Sequence, residues 1–212
     1  MAGVAAVDVA TPHGLARAHL HVVAAPRAAL ILGHGAAGGI GAPDLVAATE
    51  AAASEGLTVA LVEQPYRVAG RRSPARAPQL DAAWIAVVER LRSGELAGLP
   101  LVVGGRSMGG RVACRTAAAT GAVAVLCLAF PLEPPRQSGT PPQDRLAELD
   151  SVNVPTLVVQ GERDRFGIPP AGQDREVVVV PGDHALRAEP AAVAAAVREW
   201  LPRVIAAAAP VR

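Results

Sequence analysis

Six short apolar runs, each near strand length and separated by helical patterns, constrain this chain more than any other feature. They are Ala28–Leu32, Leu57–Val62, Leu101–Val103, Val123–Ala129, Thr156–Val159 and Glu176–Val180. Their side chains are almost uniformly apolar rather than alternating, the pattern of strands covered on both faces in a parallel sheet. A seventh run, His19–Val23, does alternate and is expected at an antiparallel edge. Between the runs, Leu80, Trp84, Val87, Val88 and Leu91 recur at helical spacing. Pro43-Asp44 opens a second helix, Ser107 to about Thr120 forms a third, and Glu189-Pro190 to about Ile205 a last.

Strand alternating with helix predicts an α/β fold: a mostly parallel twisted sheet, helices on both faces, and functional groups at the carboxyl ends of the strands. With 212 residues, one domain over positions 1–212 is expected. Two longer connections stand apart. Glu63–Pro78 carries Arg67, Arg71, Arg72 and Arg76, and Pro131–Gln143 carries five prolines and is the candidate cover for a site. The tail Ala206–Arg212 is expected to fray.

Composition removes several classes of function. A net charge of +1 gives no general attraction to nucleic acid or to membranes. Aromatic residues are 2% of the chain, too few for base-stacking platforms. No apolar run is long enough to span a bilayer, and Asp8 interrupts the N-terminal apolar stretch, which is therefore not expected to be a secretory signal. Cys114 and Cys127 form neither a disulfide framework nor a zinc motif; both are expected to be structural, in a cytoplasmic protein.

The strongest chemical signal is Gly105-Arg106-Ser107-Met108-Gly109, placed after a strand and at the start of a helix. A serine in that context sits on a tight strand-to-helix turn, with its hydroxyl above the sheet. Asp164 follows the Thr156–Val159 strand and His184 follows the last one. In that order a histidine can take the serine proton while the carboxylate fixes its tautomer. Gly33-His34-Gly35-Ala36, after the Ala28–Leu32 strand, is placed to supply a backbone oxyanion donor at Ala36, beside that of Met108. The loop also reads Gly33-x-Gly35-x-x-Gly38, with Glu63 ending the next strand, which is a literal dinucleotide fingerprint. Against an oxidoreductase, the helix opens only at Pro43-Asp44, whereas a pyrophosphate site wants it inside the motif.

With these residues the chain resembles the α/β-hydrolase superfamily from about Ala28 to Ile205. Gly33–Ala36, Gln64-Pro65-Tyr66-Arg67, Gly70-Arg71-Arg72 and Gly105–Arg111 are similar to a smaller group within it. That group includes testis-expressed protein thirty, the hydrolase-like subunit of the non-specific-lethal chromatin complex, and dienelactone-hydrolase-like bacterial proteins. The resemblance implies an α/β-hydrolase fold with a minimal cap or none, and a Ser107–Asp164–His184 triad. Dienelactone hydrolases proper use a cysteine nucleophile, so serine at position 107 does not carry their substrate over.

The expected function is that of a serine hydrolase acting on a small carboxylic ester or thioester through an acyl-enzyme, with no metal or organic cofactor. Tyr66, Arg67, Arg71, Phe130, Leu132, Phe166 and Leu186 are the expected substrate-contacting residues. An anionic substrate group is expected if Arg67, Arg71, Arg72, Arg106, Arg163 and Arg165 converge on the site. The alternative from another class is a non-catalytic scaffold on the same fold.

Overall fold

A computed structural model of the protein describes residues 4–133 and 145–208. Eight strands form one sheet in the order β1-β2-β4-β3-β5-β6-β7-β8. The six apolar runs become β3 (Ala28–Gly33), β4 (Leu57–Glu63), β5 (Leu101–Arg106), β6 (Ala124–Leu128), β7 (Thr156–Gly161) and β8 (Arg175–Val180), all mutually parallel. Strands β3, β5, β6 and β7 are buried along almost their whole length, which is why their sequence does not alternate.

The N-terminal region is a correction to the reading above. A hairpin, β1 (Val4–Thr11) and β2 (Gly14–His21), precedes β3, and β2 pairs antiparallel with both β1 and β4. The alternating strand is thus internal, and β1 takes the edge. The turn is closed by the Thr11 hydroxyl, which donates to the Gly14 carbonyl at 2.7 Å.

Two helical layers cover the sheet. On one face lie α1 (Pro43–Ser54) and α6 (Pro190–Ala208), packed on Leu30, Leu32, Leu126 and Leu157. On the other lie α3 (Ala77–Arg92) and α4 (Met108–Thr120), packed on Ile31, Val103, Val125 and Val158. The stripe Leu80, Trp84, Val87, Val88 and Leu91 is the buried face of α3, as its spacing requires. Trp84 and Trp200 are the largest side chains wholly inside, one in each layer.

Two short helices carry no legible period: α2 (Pro65–Val68), in the connection after β4, and α5 (Leu146–Asp150). The expected fraying from Ala206 is not seen at Ala206–Ala208, where α6 continues. Among the described residues, α5 is the one helix between β6 and β7, and no cap domain is inserted there. Most of the Pro131–Gln143 connection, with Pro134, Pro135, Pro141 and Pro142, lies outside the described residues.

Candidate active site

Strand β5 ends at Arg106 and α4 begins at Met108, so Ser107 alone makes the turn between them. Its backbone is held at φ 53°, ψ −109°, a conformation L residues rarely adopt. The Ser107 N–H donates to the Leu128 carbonyl at 2.8 Å, fixing the turn to β6. Glycines on either side permit a close approach of β3. A Cβ on Gly109 would lie 2.3 Å from the Gly33 carbonyl oxygen, and one on Gly105 would lie 2.5 Å from it.

The carboxylate and the imidazole arrive from the next two strand ends. Glu162 N–H bonds the Val180 carbonyl at 2.9 Å and Arg163 N–H bonds Gly182 at 2.9 Å, zipping the loop after β7 to the loop after β8. The result places His184 Nδ1 2.8 Å from Asp164 Oδ2 and His184 Nε2 3.0 Å from Ser107 Oγ. With the carboxylate as acceptor, Nδ1 carries the proton and Nε2 accepts from the serine hydroxyl. The Asp164 side chain has no exposed surface, and that of His184 is 19% exposed. The two rival carboxylates are engaged elsewhere. Glu162 pairs with Arg163, and Asp183 accepts from the Ala185 N–H at 2.9 Å.

Gln160, which the sequence did not single out, belongs to this cluster. Wholly buried, it donates from Nε2 to Asp164 Oδ2 at 2.7 Å, while Phe166 N–H donates to Oδ1 at 2.9 Å. The Phe166 ring stands edge-on to the His184 imidazole with centroids 4.5 Å apart. Neither the Ala36 nor the Met108 N–H has a partner among the described residues, which leaves both free for an external oxygen.

The loop that carries Ala36 is tied from α2. Tyr66 OH donates to the Ala36 carbonyl at 3.0 Å; burial pushes this phenol up to about 12, against the pull of Arg67, so it stays a donor. The Gln64 N–H donates to His34 Nε2 at 3.1 Å, and His34 Nδ1 in turn donates to the Gly35 carbonyl at 2.8 Å. Burial lowers the His34 pKa, in keeping with a neutral ring that accepts at Nε2. His34 therefore positions the loop.

Other expected contacts differ. Phe130 and Leu186 lie inside the two apolar clusters with at most 1% of their surface exposed, so they back the site rather than face a ligand. Leu132 is half-buried beside Gly167. The arginines do not converge. Arg106 Nε lies 3.0 Å from Asp44 Oδ2, though not aligned for a hydrogen bond, and its Nη2 donates to the His184 carbonyl at 3.1 Å. Arg163 is held by Glu162, and Arg165 lies over the Phe166 ring, 4.8 Å from its centroid. Arg67 is half-buried on α2 and Arg72 is exposed. Arg71 lines a separate cavity that contains none of Ser107, Asp164, His184, Ala36 or Met108.

The dinucleotide reading also meets contrary geometry. Helix α1 starts only at Pro43, and Glu63 Oε2 is engaged by His19 Nε2 at 2.9 Å. The cysteines are buried and free, with sulfurs 3.5 Å apart. The bond to Cys114 and burial push the Cys127 thiol well up, which suits a packing role.

A family model described as Alpha/beta hydrolase domain matches residues 26–189. Similar solved structures include an α/β serine hydrolase without lid from Xanthomonas campestris, 19% identical, with a TM-score of 0.75 over 100% of this chain and 98% of that one. Est1E from Butyrivibrio proteoclasticus is 17% identical, with a TM-score of 0.77 over 95% and 99% of the two chains. A dienelactone hydrolase from Anabaena variabilis is 18% identical, with a TM-score of 0.75 over 95% and 97%. No curated protein matches the chain in sequence. Among the described residues, no helix is long and apolar enough to cross a membrane.

Proposed function

The chain belongs to the alpha/beta-hydrolase family, and from that premise we propose that it is a serine hydrolase cleaving small carboxylic esters or thioesters, with Ser107 as nucleophile. One observation carries this reading: the unbroken contact from Ser107 Oγ through His184 to buried Asp164, at 3.0 and 2.8 Å. A hydroxyl is a weak nucleophile until a positioned base takes its proton.

In this mechanism His184 Nε2 removes the Ser107 proton as Oγ adds to the substrate carbonyl. The Ala36 and Met108 N–H groups hold the resulting oxyanion, each worth on the order of 10²–10³ in rate. The C–O or C–S bond then breaks, and His184 returns the proton to the departing alkoxide or thiolate. Water, deprotonated by the same imidazole, cleaves the acyl-enzyme and restores Ser107. Asp164 remains ionised throughout and stabilises the transient imidazolium. Phe166 and Leu132 supply apolar wall beside the imidazole and the Asp164 loop.

The test is labelling. A fluorophosphonate should add one equivalent at Ser107 and abolish turnover of p-nitrophenyl esters and acyl-CoA thioesters, all of which Ser107→Ala should lack. Labelling elsewhere, or full turnover by Ser107→Ala, sinks the reading. A folded protein that ignores both probe and substrates is the behaviour of a scaffold.

A further inference from the structure

We propose that the cavity beneath α2 is a second binding site, one that takes a small carboxylate with a compact apolar body and is mechanically joined to the Ala36 loop. The cavity has a volume of about 330 Å³, at the small end of ligand pockets. The β1–β2 turn at His13, the α2 segment from Gln64 to Arg71, and the start of α3 at Gln79 and Leu80 surround it. No residue of the proposed reaction centre contributes to its wall.

Two observations set the ligand class. The lining contains no acidic residue; its fixed charge is Arg71, exposed and without a carboxylate partner among the described residues. A guanidinium in that state offers its fork to an anion. Leu15, Pro65, Tyr66, Val68 and Leu80 supply apolar surface for the body of the ligand.

The joint to the reaction centre is a pair of hydrogen-bonded routes through residues of the same wall. Arg71 N–H bonds the Tyr66 carbonyl at 2.8 Å, and Tyr66 OH bonds the Ala36 carbonyl at 3.0 Å. Gln64 reaches Gly35 through His34, at 3.1 and 2.8 Å. A ligand drawn to Arg71 therefore loads the segment that sets where the Ala36 N–H points. Binding itself is independent of the hydrolase reading; only the effect on turnover rests on it.

Benzoate is the probe, with benzamide as its neutral isostere, measured by calorimetry on wild type, Ser107→Ala and Arg71→Ala. Benzoate should bind wild type and Ser107→Ala equally, with a Kd of roughly 1 mM or tighter, and benzamide more weakly. Arg71→Ala, a change at an exposed side chain, should weaken benzoate at least about tenfold, an effect of one lost charge-assisted contact. In turnover, benzoate should change kcat rather than compete with the ester, and Tyr66→Phe should bind benzoate yet lose that change. No binding to wild type, equal binding to Arg71→Ala, or displacement of benzoate by a fluorophosphonate on Ser107 would each overturn the proposal. If Ser107 proves unreactive while Arg71-dependent binding persists, the site stands and the hydrolase reading falls.

Discussion

The guanidinium of Arg106 and the carboxylate of Asp44 meet at 3.0 Å, with the Asp44 side chain wholly buried. The same arginine bonds the His184 carbonyl, and one of its nitrogens would lie 2.7 Å from a Cβ on Gly35. One residue next to Ser107 thus ties α1 to the His184 loop, with the Ala36 loop packed against it. Burial already raises the Asp44 pKa, and Arg106 opposes that rise. Arg106→Met removes the opposition, so a buried, unpaired carboxylate remains at neutral pH. The expected loss is about 3 kcal/mol. It should shrink in mild acid, because the raised Asp44 pKa lets the carboxyl protonate there and removes the charge. Asp44→Asn in the same chain should restore part of the loss at neutral pH; denaturant melts at the two pH values decide.

Replacing Asp164 by Asn leaves the imidazole with a donor where it needs an acceptor. The expected fall in kcat is about 10⁴-fold. Asp183→Asn and Glu162→Gln, whose carboxylates face Ala185 and Arg163, should stay within about tenfold of wild type, the scale of 1.4 kcal/mol. Steady-state kinetics on the three variants check the choice of carboxylate.

Ser107→Gly should separate stability from activity. Relief of a non-glycine residue at φ 53° is worth about 1–2 kcal/mol, and the half-buried hydroxyl makes no hydrogen bond that would offset it apart from that with His184. The variant should unfold at higher denaturant than wild type and hydrolyse nothing. A melt at or below that of wild type refutes the strain argument.

The His34 pKa lies below the ordinary value of 6.5 because the ring is buried. Between that lowered value and 6.5 the unfolded chain binds more protons, so stability is full above about 6.5 and is lost as pH falls through the window. His21, also lowered by burial, adds to the same slope. His34→Asn should flatten the acid side of the stability profile by its own share and leave the His21 share in place. An unchanged slope would mean that His34 does not titrate with unfolding.

What the sequence revealed follows from how local each signal is. A strand buried on both faces must be apolar throughout, so β3 to β7 could be located directly from their residues; β8, expected to be covered likewise, is instead the far edge strand with Glu176 and Val179 exposed, and its run of valines alone marks it. Strand β2 reads as an edge because its alternation reports one covered face, and one covered face says nothing about which neighbours pair with it. Helices α2 and α5, of 4 and 5 residues, are shorter than two turns and leave no period to read. Ser107, Asp164 and His184 could be proposed because each follows a strand end. Side-chain direction could not be read that way: Leu186 sits at φ 49° and turns into the core. The partners of Arg106 lie across loops brought together only by the sheet, and although Gln160 meets Asp164 only four residues on, nothing in an apolar strand run marks where its side chain points. Arg71 lines a cavity whose wall contains none of Ser107, Asp164 and His184, a separation that loop position alone does not reveal.

The close approach of Gly109 and Gly105 to Gly33 binds two sequence motifs into one mechanical unit. A substitution that adds a methyl group at either glycine pushes on the backbone of β3 itself, which has no flexible end to yield. Compensation would require β3 to shift, carrying the Ala36 loop away from Ser107. The Ser107 turn and the loop facing it can therefore change only in concert: losing any one of these glycines loses the geometry of both.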